Sequence, residues 1–264
     1  MTSNDNWGWR ARLGLFIVGH EAIPEAEWWA MTPPGAGVSL HAARVAARAP
    51  WLAWRDGNKG VELADDLVRG CRHLAPMQLA AVTIAHSSSS LLGGKGWDEA
   101  AIAALAPLLG TGTRVTTNGL DTQAALRAVG VERPFLVLPP WFDDRTVAAG
   151  LAYYADHGLP PAGHLRYDPG RKWRDLPPGE LVSGGLGLAQ EVEPLYRQIR
   201  AACPAAADGV LIAGTGFRCV AILEALERDL KRPAISANQA SLWHCLRLAN
   251  VAAPISGYGS LLRG

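Results

Sequence analysis

The chain has 264 residues, 49% hydrophobic and 19% charged, which excludes a disordered or fibrous protein and is enough for one large or two smaller domains. Lys and Arg number 25 against 24 Asp and Glu, so a formal net charge of +1 provides no field for nucleic acid or an anionic membrane. No run approaches the ~20 apolar residues of a membrane span.

The opening residues 1–12 are polar and lack the apolar core of a signal peptide. Cys71, Cys203, Cys219 and Cys245 are widely spaced without a CxxC pair and read as reduced, buried thiols of a cytoplasmic protein. The apolar run 12–19, closed by Gly19, predicts a buried strand. Ala64, Leu67, Val68, Cys71, Leu74 and Ala75 recur at helical spacing. Residues 79–86 predict a second buried strand, followed by the polar loop SSSSLLGGKG and a helix over 97–109. Short apolar segments at 114–118, 134–140, 163–167, 209–214 and 233–238 then alternate with helical ones at 120–130, 144–158, 188–203, 217–230 and 239–250. Strands alternating with helices of this length imply parallel sheets covered on both faces, an α/β class.

The parts come twice. LAAVTIAHSSSS, a helix and RVTTNGLDTQAALRA parallel GVLIAGTGFRCVAILEA, then PAISANQASLWHCLRL, with Thr116 to Asn118 opposite Ser236 to Asn238. Two similar Rossmann-like domains in a pseudo-twofold arrangement are expected, one from 1–117 plus 236–264 and the other from 118–235. Strand C-termini would converge on a cleft between them, where open α/β sheets bind ligands.

Four strand-end loops can carry chemistry: Gly19–Glu21, His86–Ser90, Pro139–Trp141 and Gly214–Arg218. Serines or glycines ahead of a helix offer hydroxyls and unpaired N–H groups to a carboxylate or phosphate, although the same residues serve as caps and turns. LLGGKG fails the phosphate-loop pattern because Gly96 stands where a hydroxyl is required, and no GxGxxG follows the first strand, so no nucleotide cofactor is expected. His20, Glu21 and His86 are the dense titratable group. His86 can exchange a proton near neutral pH, with Glu21 raising its pKa and orienting it; the plain alternative is a solvated loop pair. Zinc is disfavoured because neighbours on a strand point to opposite faces. None of the cysteines reads as a nucleophile, Cys219 lying some residues into its helix. Gly257–Gly259 is a turn whose Tyr258 either covers the cleft or simply packs.

Residues 213–251, AGTGFRCVAILEALERDLKRPAISANQASLWHCLRLANV, resemble the Cys-Thr-x-x-Arg loop, Ser-x-Asn-Gln-Ala strand end and Trp-containing helix of the arylmalonate decarboxylase and maleate isomerase branch of the aspartate/glutamate racemase superfamily. PISGYGSLLR is similar to that family's C-terminal Gly-Tyr-Gly segment, and LGLFIVGHEAIPEAE to its opening strand and Glu-x-Glu. Both family cysteines are exchanged, for His86 and Gly214; the family's Asn falls on Glu21, and its Pro-Tyr becomes Pro140-Trp141. Thr215, Arg218, Asn238, Ser87 and Ser88 are retained.

The resemblance implies a cofactor-independent enzyme acting on a small carboxylate by proton-transfer or carbanion chemistry, as a decarboxylase, isomerase or racemase does. His86 would be the acid/base and Glu21 its partner, while Ser87, Ser88, Trp141, Gly214, Thr215, Gly216 and Asn238 would hold the substrate. Trp141 favours an aromatic or bulky one. A hydrolase in which His86 and Glu21 activate water, and a non-catalytic carboxylate-binding protein, are the alternatives. No cofactor, metal, nucleic acid or membrane is expected, and a homo-oligomer is compatible.

Overall fold

The computed structural model describes residues 5–264 except 47, 56 and 58, so the first four residues of the expected first domain lie outside the described residues. Ten strands are formed: β1 Ala11–Val18, β2 Val38–Val45, β3 Leu52–Arg55, β4 Gly60–Leu63, β5 Ala81–Ile84, β6 Arg114–Thr117, β7 Pro134–Leu138, β8 Gly163–Arg166, β9 Gly209–Ile212 and β10 Ala234–Ser236. One four-stranded sheet runs β2-β1-β5-β6 and a second runs β10-β9-β7-β8. Every pairing within both is parallel. Counted within its own four strands, each sheet has the order 2-1-3-4. The fold is the α/β arrangement expected, and the internal duplication is one of topology.

The central strands β1, β5, β7 and β9 are largely apolar because both faces are covered. In β1, Leu13, Leu15 and Ile17 point into the core shared with the second sheet, while Phe16 points the other way, against Val82, Ile84, Leu67 and Trp97. β2 and the antiparallel hairpin β3–β4 have no counterpart in the sequence reading. In β2, Ser39, His41 and Arg44 interrupt the apolar pattern, as suits an edge strand, and the hairpin strands span only four residues each.

Three segments differ from expectation. The serine run is the start of a helix, Ser87–Gly93, rather than a loop. Residues 217–230 are a turn, a 3-10 segment Val220–Ile222 and then the helix Leu223–Leu230, so Cys219 precedes the helix. The buried Glu27 carboxylate accepts the N–H groups of Cys219 and Val220, which fixes this delayed start. The helix begun at 188 is in fact Leu186–Ala189 followed by Val192–Ala202.

The helices after the last strand of each sheet, Asn118–Ala128 and Ala237–Leu248, pack against each other and against strands of both sheets. Their contact is polar and fully satisfied at Asp121, which accepts from Thr83, Thr116 and Ser241 and meets His244 Nδ1 at 2.7 Å. Caps set their register. Thr117 accepts from Leu120 N, and Ser236 forms a capping box with Gln239. Thr117 is therefore the counterpart of Ser236, one residue off the sequence alignment of the two Asn.

Candidate active site

With the order 2-1-3-4 in each sheet, the strand sequence reverses between the first and third strands, and their C-terminal ends leave a crevice. Those ends are the exits of β1 and β5 in one sheet and of β7 and β9 in the other. Residues from all four exits, with Val182 from the 167–191 connection, enclose one cavity of about 130 Å³. That is close to the ~150 Å³ that takes a benzene-sized guest. A smaller compartment of about 50 Å³ shares Glu21, Trp141, Val182 and Gly216 and extends past Ile23 and Leu188. Hollows of about 520 Å³ flank the 167–191 connection, beside the Asp144–Arg166 and Asp168–Arg174 ion pairs and away from the β1, β5 and β9 exits.

Glu21, His86, Ser87, Ser88, Trp141, Gly214, Thr215 and Gly216 all line the cavity. Asn238 does not. The first turn of its helix faces inward, and its Nδ2 donates to Thr215 O at 2.8 Å and to Glu27 Oε2 at 2.7 Å. It fixes the Gly214–Gly216 loop from behind. Arg218 is exposed and outside the cavity, its carbonyl accepting from Gln190 Nε2. Tyr258 packs away from the cleft, its hydroxyl donating to Ala30 O.

Ser87 is also less available than expected. Its hydroxyl donates to Asn118 Oδ1 at 2.6 Å and accepts Gly214 N–H at 3.1 Å, so it joins the two halves. The Ser88 and Thr215 hydroxyls make no hydrogen bond to any described residue and remain free for a ligand.

Gly214 lies at φ +95°, in the left-handed region, and a Cβ there would come within 2.8 Å of Pro139 Cγ. A side chain there would be strained in the backbone and would have to displace the Pro139 ring. Trp141 meets Phe217 edge to face, with centroids 5.7 Å apart, and forms an apolar wall.

The expected pairing of Glu21 with His86 is absent: no hydrogen bond joins them, and burial drives their pKa values apart. The His86 ring stacks on Trp51, with centroids 4.1 Å apart and an interplanar angle of 15°, and its Nδ1 lies 2.8 Å from Ser89 Oγ. Burial pulls its pKa down to about 3, so the imidazole is neutral at physiological pH, the opposite of a carboxylate-raised imidazolium. The Glu21 carboxyl makes no hydrogen bond, and its Oε2 is buried without a partner. Burial lifts its pKa to about 7, opposed by the Arg44 guanidinium. Arg44 itself pairs with Glu25 and donates to the Glu21 carbonyl.

Trp51 and Ser89, which hold the imidazole, were not found in the sequence, and neither was Glu27. Only the Glu-x-Glu pattern pointed near the last. All four thiols are held above their ordinary pKa by burial, Cys71 at about 11. None lines the cavity. No three His, Cys, Asp or Glu among the described residues are grouped to hold a metal ion. No helix among them is long and apolar enough to cross a membrane.

A two-domain α/β scaffold with its crevice at paired switch points defines a recognisable class. The arylmalonate decarboxylase family profile matches residues 188–262. No curated protein sequence matches the chain. Among solved structures, the maleate cis-trans isomerase of Nocardia farcinica superposes with a TM-score of 0.76 at 19% identity, over 96% of this chain and 98% of that one. Maleate isomerase from Pseudomonas putida gives 0.77 at 17% identity, over 96% and 98%. A cysteine-bearing mutant of arylmalonate decarboxylase with sulfate gives 0.72 at 21% identity, over 96% and 100%. The chain therefore shares the fold of maleate isomerase and arylmalonate decarboxylase over 96% of its length, and over residues 188–262 it also matches the arylmalonate decarboxylase profile in sequence.

Proposed function

We propose that this cavity is the active site of a cofactor-independent enzyme that moves a proton at a carbon next to a small carboxylate. One observation carries the reading: a buried, unpartnered carboxyl and a neutral imidazole, Glu21 and His86, face one cavity at the exits of β1 and β5. Groups held near or below neutral pKa without a compensating charge mark sites of proton transfer. The similar structures support the reaction class, being isomerases and decarboxylases by name. A cysteine mutant of the Nocardia isomerase holds a covalent succinylcysteine intermediate. A thiol route finds no support here, since no cysteine lines the cavity and the resemblance puts His86 and Gly214 at the family's cysteine positions.

The substrate carboxylate would meet the Ser88 and Thr215 hydroxyls, and Trp141, Phe142 and Val182 would enclose its organic part. A cavity of about 130 Å³ suits a four-carbon acid, and one carrying a ring would need the adjoining compartment of about 50 Å³ as well. The test is to incubate the protein in D₂O with phenylmalonate, phenylacetate, 2-phenylpropionate or maleate and follow the products by NMR. Loss of CO₂, isomerisation or deuteration next to the carboxylate is expected. Turnover of amide or lactone probes alone would replace this reading with a hydrolase, and binding without turnover would replace it with a carboxylate-binding protein.

A further inference from the structure

Glu21 reaches from the first half of the molecule across the cleft to the second. Its Oε1 lies so close to Gly216 that a Cβ on that glycine would come within 2.4 Å of it. Neither carboxyl oxygen accepts a hydrogen bond from any described residue, and Oε2 is buried. Such a group is rare in folded proteins and needs an explanation.

The one charge that favours its ionised form, the Arg44 guanidinium, is outweighed by burial. Arg44 is engaged by Glu25, His20 is exposed beside it, and His86 is neutral. From the facing elements come only Thr215, Gly216, Trp141, Phe142, Val182 and Leu188.

His86 is built differently. Ser89 Oγ accepts the Trp51 backbone N–H at 2.9 Å, and His86 Nδ1, at 2.8 Å, is the one acceptor among the described residues for the buried Ser89 hydroxyl proton. The ring proton then resides on Nε2, a tautomer set by the hydrogen-bond pattern. Nε2 has no hydrogen-bond partner among the described residues. The stack on Trp51 fixes the ring plane, so one N–H is held rigidly at the cavity.

Resting on the proposed reaction, we infer that Glu21 is the group that exchanges the proton with the substrate carbon, and that His86 is a fixed neutral N–H donor to the oxygen on which charge develops. In the forward step the Glu21 O–H bond breaks and its proton forms the new C–H bond with the π pair of an enediolate. Glu21 is left as a carboxylate and recovers its proton from water. In the reverse step the carboxylate removes that proton and the C–H pair returns to the enediolate. A decarboxylation reaches the same enediolate when the C–C pair stays behind and CO₂ departs. An N–H donor aimed at the developing oxyanion acts as other preorganised donors do.

The test reads both groups directly. With ¹³C-carboxyl-labelled glutamate, one signal that vanishes in Glu21→Gln is expected to titrate near pH 7. The His86 imidazole, assigned by its loss in His86→Gln, is expected to stay neutral from pH 5 to 8. In D₂O, Glu21→Gln should lower exchange or turnover by about 10²- to 10⁴-fold while still binding phenylacetate. His86→Gln keeps an N–H donor and should retain the pH profile of the parent with a smaller loss. A Glu21 signal titrating near 4.5, a His86 ring titrating near 6.5, or turnover that survives in Glu21→Gln overturns the assignment while the proposed function stands. A parent protein that transforms no carboxylate overturns the proposed function and the assignment with it.

Discussion

The two halves meet the cavity through equivalent strand exits, and they differ in kind. Ala85-His86-Ser87 follows β5 as Ala213-Gly214-Thr215 follows β9, and Glu21 stands three residues after β1 as Trp141 does after β7. The first half thus contributes a carboxyl and an imidazole where the second contributes an indole and a glycine. A duplicated scaffold can present a titratable group from each side. Here both titratable groups stand on one side, and the other supplies shape, hydroxyls and an apolar wall. The asymmetry is built into the backbone, since Gly214 at φ +95° against Pro139 leaves no room for a side chain while His86 sits at an ordinary φ of −147°.

The comparison breaks most directly at its chemical half. Glu21→Ala should reduce turnover by about 10²- to 10⁴-fold. At the equivalent place, Trp141→Leu should act mainly on KM, because it reshapes the wall without touching the proton. Steady-state kinetics on any substrate found in the D₂O screen separates the two, and a larger kcat effect at Trp141 would reverse the roles of the halves.

Adding a thiol to each half sharpens the contrast. Gly214→Cys should cost about 1–3 kcal/mol in urea denaturation, for left-handed strain and the Pro139 contact. His86→Cys meets no such backbone barrier and loses only the Trp51 stack and the Ser89 bond. Equal stability of the two variants would show that the Gly214 loop yields.

Glu27 holds the neutral half in place through Cys219 N, Val220 N and Asn238 Nδ2. Glu27→Ala strands three buried donors and should destabilise by about 3 kcal/mol or more. Asn238→Ala removes one link to Thr215 and should cost about 1 kcal/mol, with weaker binding of carboxylate probes measured by calorimetry.

The last effect, small over the window in which its two parts cancel, is a pH dependence with opposite signs from the two first-half groups. The Glu21 pKa is raised from 4.5 to about 7, so its folded form holds the proton more tightly, and stability falls as pH rises through that window. The His86 pKa is lowered from 6.5 to about 3, so stability falls as pH drops from 6.5 towards 3. Between about 4.5 and 6.5 the two slopes offset each other. Glu21→Gln should remove the first slope and His86→Gln the second, as read from Tm across pH; an unchanged profile in both variants would count against the burial of these groups.

Local pattern alone was enough to establish the α/β class, the strands β1, β5, β7 and β9 and the doubling of the unit, because fully covered parallel strands are short apolar runs between helical spacings. Of the nine residues it marked, eight line the cavity, since ligands in such folds sit at strand exits, and strand exits are legible as apolar runs ending in small or polar residues. Tertiary structure decided the rest. Asn238 looks like a ligand-binding amide in sequence, but its helix turns it inward to Glu27 and Thr215. His86 looks like an acid/base, yet burial keeps its ring neutral, against an indole, Trp51, that packing rather than spacing brings to it. The unusual acidity of Glu21 arises because the folded chain buries its carboxyl against Gly216, contributed from 195 positions further along, with no hydrogen-bond donor for either oxygen. Composition and periodicity specify which surfaces must be buried; what a titratable group meets once buried is set by the long-range contacts that close the two halves on each other.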